Sequence, residues 1–450
     1  MLHGVDLSRG DIREIAFETG FCRRTSGKID SPDYLVQLCL QSLEGTVSHN
    51  DLAGKIEART GVCASRQAVA KKSKEQCEQF FRKILERVIQ AKVDMAQAGD
   101  IMSPSRFNRI LIQDSTVIRI PLRLFEVFSG VKNCTSAVCN ARIQGTYDLL
   151  AGRFISFSID PYSKNDLAAA PEIIVQPGDL VLRDRGYFIV EVIDTMRKNG
   201  ADSISRYKHG HDILDPVTEQ PINLLERLQH DGSLDMDVLV GAKQKVRLRI
   251  LAAPVGEEAA NRRRMKLKKE MKGRSPSAEL LKLMSWTIFL TTIGAGSDNA
   301  AGTSTGPGSA KGKAITIKEI FALYGLRWRI ENIFKTWKSN FNFATVHNVS
   351  ANQLRVLLTA RLIMITLIYQ CIYQPLALRV ANSSERQLSL MKFMRYISKN
   401  LQRIYELLNP LGVSQQVLNA LIRYCSYESR NRTNFQARME DIILNIITLG

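Results

Sequence analysis

The sequence predicts a mixed α/β protein, with a sheet that carries packed helices and with helical regions at both ends of the chain. Residues 1 to about 95 repeat apolar side chains at the spacing of amphipathic helices. From near residue 106, short runs rich in β-branched residues alternate with turn residues, which is typical of strands. After about residue 315 the helical spacing returns and continues toward residue 450.

The N-terminal region is predicted to consist of helices. Ser31 is a candidate N-cap, and Pro32 lies in the first turn of the helix that follows. Two short helices are predicted on either side of a turn at Thr60 and Gly61. This pattern is compatible with a helix-turn-helix DNA reader, although many helical hairpins share it. The next stretch, "SRQAVAKKSKEQCEQFFRKILERVIQAKVDM", predicts one long, amphipathic and basic helix.

The middle of the chain is predicted to form the sheet. Three β-rich runs indicate an antiparallel meander, and they are "RILIQDSTVIRI", "ARIQGTYDLLAG" and "RFISFSID". A helix is expected near residues 164 to 174, followed by the strand "GDLVLRDRGYF", a helix closed by Gly200 and the strand "DSISRYKH". Further strands follow as "SLDMDVLVG", "KVRLRILAAP" and "SWTIFLTTI". The Gly, Ser and Ala-rich residues 294 to 314 predict a flexible loop.

The charge balance favours a polyanionic partner. The 450-residue chain has 62 Lys and Arg against 44 Asp and Glu, a net charge of +18, and nucleic acid is the usual partner of such a chain. No N-terminal apolar stretch has the length of a signal peptide. The apolar stretch from Val356 to Gln374 is interrupted by Arg361, so it predicts a buried helix rather than a membrane span. A cytoplasmic protein without a membrane partner is therefore expected.

The stretch "YGLRWRIENIFKTWK" predicts one helix with two different faces. Apolar residues at steps of three and four form a stripe for packing on a core, and they are Leu326, Ile330, Ile333, Phe334 and Trp337. The second face carries Tyr324, Arg327, Glu331, Lys335 and Lys338. This face is either a solvated surface with ordinary Glu–Lys pairs or a place where one carboxylate works beside several cations.

Three carboxylates lie in contexts that suit metal-assisted phosphoryl transfer. Asp114 lies in or just after the strand "LIQDSTVIRI", Asp184 ends the strand "LVLRD", and Glu331 is on the helix just described. Mg²⁺ takes oxygen ligands and keeps some waters, so two or three carboxylates suffice for a two-metal site. Taken singly, an aspartate at a strand end is usually a turn or cap residue, and the glutamate alone is no stronger a candidate for catalysis.

Together these motifs resemble the insertion-sequence-four family of bacterial DDE transposases. Tyr324, Arg327, Glu331 and Lys338 have the spacing of that family's YREK signature, Y-x-x-R-x-x-x-E-x-x-x-x-x-x-K. The segments "QDST" and "VLRDRGYF" resemble the family's first and second aspartate motifs, in the same order. The resemblance extends from roughly residue 100 to residue 375.

The resemblance implies a ribonuclease-H-like catalytic core that is interrupted by a mostly β insertion domain. The predicted domains are a helical DNA-binding domain (1–95), a core in two parts (96–210 and 315–375), a β-rich insertion (211–314) and a helical C-terminal region that is a candidate for dimerisation (376–450). The implied catalytic and metal-binding triad is Asp114, Asp184 and Glu331. It would hold two Mg²⁺ ions per active site, with Mn²⁺ as a substitute.

The resemblance also implies a set of DNA contacts. Phosphate contacts are expected from Tyr324, Arg327, Lys335 and Lys338. Trp286 resembles a tryptophan that related enzymes stack on a flipped base, with Arg206 and Lys208 on a basic strand beside that base. The alternative for Trp286 is an ordinary core residue.

The implied function is cut-and-paste DNA transposition. The partner is double-stranded DNA, both the transposon ends and the target, and the family works as a homodimer on paired ends. Cleavage would pass through a hairpin before the 3′ ends are joined to target DNA. The protein would then act in the bacterial cytoplasm, at the nucleoid. The alternatives are a ribonuclease-H-like nuclease that does not join strands and an inactive DNA-binding descendant.

Overall fold

The structure is a computed structural model. It describes residues 7–24, 28–91, 105–128, 131–132, 137–162, 173–271, 275–296, 315–384, 386–407, 413–428 and 435–448. The chain divides into two compact units. The first unit contains Met1–Ile101, Ser115–Pro171 and Arg329–Asn434, and the second contains Met102–Asp114, Glu172–Trp328 and Phe435–Gly450.

Helices and strands are numbered here in chain order. The helices are α1 (Arg9–Glu18), α2 (Ser31–Glu44), α3 (His49–Thr60), α4 (Arg66–Lys72), α5 (Glu75–Gln90), α6 (Phe125–Phe128), α7 (Val190–Lys198), α8 (Leu224–Asp231), α9 (Glu257–Glu270), α10 (Ala278–Leu283), α11 (Ile317–Gly325), α12 (Trp328–Ser339), α13 (Ala351–Leu367), α14 (Gln374–Ser383), α15 (Leu390–Lys399), α16 (Arg403–Leu407), α17 (Gln415–Cys425) and α18 (Phe435–Ile442). The strands are β1 (Arg109–Ile120), β2 (Val131–Lys132), β3 (Ala137–Asp148), β4 (Arg153–Pro161), β5 (Asp179–Arg183), β6 (Asp202–Arg206), β7 (Ile213–Leu214), β8 (Leu234–Val240), β9 (Val246–Pro254) and β10 (Trp286–Thr291).

The N-terminal helices begin and end where local chemistry dictates. Ser48 caps α3 through its side chain, and Gly61 ends that helix with a positive φ of 69°. The predicted pair of short helices around Thr60 and Gly61 is therefore confirmed. The prediction of one long helix after it is wrong, because the backbone leaves the helical region at Ser73 and is extended at Lys74 between α4 and α5. The cap of α2 is Asp30, one residue before the predicted Ser31.

The first unit builds its core around a hairpin and long apolar helices. Strands β3 and β4 pair antiparallel from Ala141 opposite Pro161 onward, which confirms the hairpin of the predicted meander. The part of the predicted apolar stripe that lies on α12 is confirmed, since Ile330, Ile333, Phe334 and Trp337 are all buried. Within that stripe, Trp337 is fully buried, and its ring centroid lies 5.1 Å from that of Phe154.

The most apolar segment of the chain is an interior helix. Ala351–Ser383 is long and apolar enough to cross a membrane by composition, yet its most apolar window is wholly buried inside the protein. Its first part, α13, packs on α2 and α5. The predicted buried helix is confirmed, and it fits the core of a soluble protein.

The second unit is built on a sheet in the order β1–β5–β6–β10–β9–β8–β7. The first part of β1 pairs parallel with β5, and β5 pairs parallel with β6. From β6 onward the neighbouring strands are antiparallel. Helix α8 lies between β7 and β8 along the chain, and α9 and α10 lie between β9 and β10. Helix α7 ends before Gly200, as predicted. The helix predicted near 164 to 174 and most of the loop predicted at 294 to 314 lie outside the described residues.

Candidate active site

Asp114 and Asp184 directly follow the paired segments of β1 and β5 in the second unit. Strands β1 and β5 are in parallel register from Arg109 opposite Asp179 to Gln113 opposite Arg183. Asp114 and Asp184 are the residues that directly follow this last pair. Neighbouring strands lie about 4.8 Å apart, and paired residues of parallel strands point to the same face. Both aspartates are partly exposed, so solvent can reach both residues.

The sequence of β5 explains why Asp184 lies there. Residues 179–183 are all buried, so the strand is held in the core up to Arg183. Asp184 then precedes a short 3₁₀ turn, and its carbonyl oxygen accepts a hydrogen bond from the Tyr187 amide at 2.9 Å. The Asp184 side chain makes no capping hydrogen bond to this turn. The Asp184 side chain therefore does not act as a cap of this turn.

Arg327 is bonded to the first aspartate. Its guanidinium donates from Nη1 to a carboxylate oxygen of Asp114 at 3.1 Å, with the Arg327 side chain buried and the Asp114 side chain partly exposed. The guanidinium carbon also lies 5.7 Å from the ring centroid of Tyr324 and 5.5 Å from that of Trp328, within cation–π range. The residue predicted to bind DNA phosphate is thus oriented by a carboxylate and two aromatic rings.

Tyr324 is a buried neighbour of the same site. Its hydroxyl donates to the carbonyl oxygen of Arg183 at 3.3 Å, directly before Asp184. Burial raises the pKa of Tyr324 to about 12. The phenol therefore stays neutral and remains a hydrogen-bond donor across the physiological range.

The prediction of one continuous helix from Tyr324 to Lys338 is wrong. Helix α11 ends at Gly325, and α12 begins at Trp328. The amides of Leu326 and Arg327 bond back to carbonyls three residues earlier, at Leu323 and Tyr324, which tightens the turn. Glycine has a low helix propensity, so Gly325 is a suitable residue for this interruption.

The other predicted members of the signature lie on α12 in the first unit. Glu331 is in the first turn of that helix and is half-buried, whereas Lys335 and Lys338 are exposed. Partial burial lowers the pKa of Lys338. Residues four apart lie on one helix face, so Glu331 and Lys335 share a face.

Trp286 lies among cations, but its ring is partly packed. The indole Nε1 donates to the carbonyl oxygen of Gly232 at 2.7 Å, and the ring packs against the core formed by β7 to β10 and the neighbouring helices. Arg263 donates to the Trp286 carbonyl oxygen at 3.0 Å. Burial is the main cause that lowers the pKa of Arg263, and the positive charge of the nearby Arg206 lowers it further. Lys208 is exposed just beyond β6.

Sequence reasoning missed Trp328. This residue stands between Arg327 and Arg329, and its side chain is 47% exposed beside the Arg327–Asp114 pair. An exposed tryptophan is uncommon in a folded chain. The sequence signal for Trp328 was its position between Arg327 and Arg329 in the signature. The helical pattern alone does not distinguish it from an ordinary surface residue.

The donor set at this edge suits a hard divalent cation. Asp114 and Asp184 offer carboxylate oxygens, the ligands that Mg²⁺ prefers. Within the ranges that the structure describes, no three His, Cys, Asp or Glu side chains are gathered into a metal-holding group. The pair of aspartates is therefore a partial ligand set, to which further ligands must be added.

Comparisons with known proteins agree with these features. Residues 105–367, more than half of the chain, match the family described as "Transposase DDE domain". The chain is 25% identical over 448 residues to the transposase for insertion sequence element IS231B of Bacillus thuringiensis subsp. berliner, covering 94% of this chain and 89% of that protein. It is 26% identical over 418 residues to the transposase for IS231D of Bacillus thuringiensis subsp. finitimus, covering 87% and 83%. It is 23% identical over 459 residues to the transposase for IS1151 of Clostridium perfringens, covering 96% and 93%. The chain therefore belongs to the DDE transposase family, whose members are divalent-metal-dependent enzymes that cleave and transfer DNA strands.

Proposed function

We propose that this transposase works by a cut-and-paste mechanism with Asp114, Asp184 and Glu331 as its catalytic triad. The observation that supports the proposal is the parallel register of β1 and β5, which pairs Gln113 with Arg183, the residues directly before the two aspartates. Arg327 compensates the charge of Asp114, and a metal cation near both carboxylates would compensate the charge of Asp184 as well. A metal-binding role accounts for this arrangement.

Glu331 is the third proposed ligand. It follows Arg327 by four residues, and Arg327 is bonded to Asp114. Its place in the YREK signature supports the same role. The three carboxylates would hold two Mg²⁺ ions, or Mn²⁺ in their place, which when bound supply Lewis-acid activation for phosphoryl transfer.

The remaining residues of the signature are assigned to DNA positioning. Lys335 and Lys338 are exposed cations on the helix that carries Glu331, and they would hold phosphates of the transposon end. Arg327 offers a planar guanidinium suited to phosphate, and Tyr324 offers a neutral hydroxyl. Trp286, Arg206 and Lys208 would contact a base and its flanking phosphates near the cleavage site.

The proposed reaction nicks each end by hydrolysis and leaves a 3′-hydroxyl. That hydroxyl attacks the opposite strand to give a hairpin, a second hydrolysis opens the hairpin, and the 3′ end then attacks target DNA. Each step exchanges one phosphodiester oxygen for another, so no oxidant or covalent enzyme intermediate is needed. Two subunits would act on a pair of ends.

Excision from a plasmid tests this proposal. The plasmid carries the gene with its native flanking DNA, in wild-type form beside Glu331→Gln, and the junctions are sequenced. We expect loss of a segment bounded by inverted repeats only when Glu331 is intact. The purified Glu331→Gln protein should still bind DNA, because the substitution keeps the size of the side chain and removes one charge. Excision at the wild-type level by Glu331→Gln would show that the triad is assigned wrongly.

Strand joining separates the proposal from a plain nuclease. Purified protein is incubated with labelled end DNA and a supercoiled target in Mg²⁺, in Mn²⁺ and in chelator. We expect hairpin intermediates and covalent joining of 3′ ends to target in either metal, and neither product in chelator. Cleavage without joining would indicate a nuclease, and DNA binding without cleavage would indicate an inactive descendant.

A further inference from the structure

Arg329 is a buried cation on α12, two residues before Glu331. Its side chain lies in the interior of the first unit, and its Nη2 donates to the hydroxyl of Tyr369 at 3.0 Å. Residues two apart on an α-helix are separated by about 200° around its axis. Arg329 therefore extends from the side of α12 opposite to Glu331, which is half-buried.

The hydrogen bond from Arg329 continues into a group of buried tyrosines. The hydroxyl oxygens of Tyr369 and Tyr147 lie 2.7 Å apart, and the rings of Tyr369 and Tyr373 stack with centroids 5.7 Å apart. Burial raises the pKa of Tyr147 and of Tyr373 above the ordinary value, so these two phenols stay neutral at physiological pH. We call Arg329, Tyr369 and Tyr147 the Arg329 network.

The Arg329 network joins three elements of the first unit. Arg329 is on α12, and Tyr147 is near the end of β3. Tyr369 is in the π-helical turn Ile368–Tyr373, which continues directly from α13. Such turns are rare and are frequent at functional sites. The network therefore fixes α12 to a strand and to a helix of the same compact unit.

The place where α12 begins explains why this fixing matters. The helix begins at Trp328, so Arg329 and Glu331 both lie in its first turn. Backbone amides in a first turn lack helical partners, and helix ends fray. The apolar stripe of α12 holds the helix by contacts that have no preferred direction, whereas hydrogen bonds are directional. The Arg329 network therefore restricts the rotation of the turn that carries Glu331.

We propose that Arg329 and Tyr369 are positioning residues for Glu331. They hold the first turn of α12 so that the Glu331 carboxylate keeps the orientation that a metal ligand needs. In this role they contact neither the metal nor DNA. The proposal rests on the metal-binding role proposed above for Glu331 and adds the groups that orient it. Groups that orient metal ligands typically account for about 10–100-fold in metal affinity.

The test measures Mn²⁺ binding to the full-length protein, because free Mn²⁺ has an electron paramagnetic resonance signal that decreases on binding. Tyr369→Phe keeps the ring and removes the hydroxyl that accepts from Arg329. The matched control is Tyr34→Phe on α2, since Tyr34 is also buried and its hydroxyl lies 3.9 Å from the Cys77 Sγ on α5. Circular dichroism checks that each variant is folded at the temperature of the titration.

We expect the Mn²⁺ affinity to fall about tenfold in Tyr369→Phe and to stay near the wild-type value in Tyr34→Phe. Equal affinities in these two variants would overturn the proposal.

A double variant tests whether Tyr369 acts through Glu331. Glu331→Gln alone should weaken Mn²⁺ binding, because it removes a charged ligand. Adding Tyr369→Phe to Glu331→Gln should then weaken it little further, since the two changes affect one interaction. A full additional loss would show that Tyr369 acts by another route, against the proposal. Wild-type affinity in Glu331→Gln itself would instead refute the triad proposed above, so the two failures are distinguishable.

A further variant keeps the test valid if Tyr369→Phe does not fold. Arg329→Lys retains the charge but replaces the planar guanidinium with one flexible ammonium group. It should also weaken Mn²⁺ binding, because a lysine fixes the turn less firmly. Unchanged Mn²⁺ affinity in Arg329→Lys would overturn the proposal.

Discussion

At the residue scale, Asp114 and Asp184 are neighbours with different surroundings. Asp114 is bonded to a largely buried Arg327 at 3.1 Å. Asp184 follows the end of β5, and its side chain does not cap the turn that comes next. Their proposed function is the same, but among the residues that the structure describes an ion pair is found for Asp114 and none for Asp184.

This difference predicts separable effects of Asp114→Asn and Asp184→Asn. Both variants should lose DNA cleavage by orders of magnitude, because each removes a proposed metal ligand. Asp114→Asn should also lower the free energy of unfolding by about 1–3 kcal/mol, since it weakens a buried charged hydrogen bond. Asp184→Asn should change it by no more than about 0.5 kcal/mol.

Urea unfolding beside a cleavage assay checks both parts. Wild-type cleavage by either variant would remove that aspartate from the triad. Equal losses of stability in the two variants would show that the Arg327 bond contributes little to folding.

The sequence motifs select residues that contact one another in the structure, but they do not specify those contacts. Asp114, Arg327 and Tyr324 were selected from their motifs. The pairing of Arg327 with Asp114 could not be predicted, because the two residues are more than two hundred positions apart and meet only through the sheet. The adjacency of Asp114 and Asp184 likewise depends on strand register, which the apolar pattern does not specify for strands buried on both faces.

At the element scale, helix α13 carries a cation in the middle of its apolar sequence. Arg361 is fully buried, and its guanidinium donates to the carbonyl oxygens of Ser42 at 2.9 Å, Gly45 at 2.9 Å and Phe343 at 3.1 Å. Ser42 and Gly45 lie at the C-terminal end of α2, where backbone carbonyls lack helical partners. Arg361 therefore ties α13 to the end of α2.

Arg361→Met should be strongly destabilising. The substitution keeps much of the side-chain volume but leaves three buried carbonyls without this donor, so we expect a loss of about 3–5 kcal/mol in the free energy of unfolding. The matched control is Arg355→Gln on the same helix, whose ion pair with Glu78 at 3.6 Å is partly exposed. Such a pair contributes at most about 1 kcal/mol.

Chemical denaturation of both variants at neutral pH measures the difference. A loss for Arg361→Met no larger than that for Arg355→Gln would show that the three carbonyls find other partners.

Elements with a clear apolar pattern were predicted well, and their interruptions were not. Strands β5, β8, β9 and β10 and the buried stripe of α12 follow directly from the spacing of apolar residues. The breaks at Ser73 and at Leu326 were missed, because apolar spacing continues across them. In both places the spacing of apolar residues continues while the backbone leaves the helical conformation. The apolar spacing therefore contains no signal for the break.

At the scale of the whole molecule, the proposed work on paired ends requires a second copy of the chain. The C-terminal helices α15 and α17 pack on each other, and the region 376–450 is the candidate for dimerisation. Symmetric homodimers are the commonest soluble assemblies. A dimer in which each subunit cuts one end makes a quantitative prediction for mixed subunits.

An equimolar mixture of wild-type and Glu331→Gln subunits should form random dimers before DNA is added. If each subunit cuts one end of a pair, only dimers with two wild-type subunits release both ends, which are about one quarter of the total. The double-end product should therefore fall to about a quarter of the wild-type yield at the same total protein, while products cut at one end accumulate. If one subunit, chosen at random, cuts both ends in succession, the double-end product falls only to about half, and if any wild-type subunit suffices it falls only to about three quarters. Gel analysis of a plasmid that carries two ends distinguishes these yields, and a yield near one half would contradict the proposed division of labour between subunits.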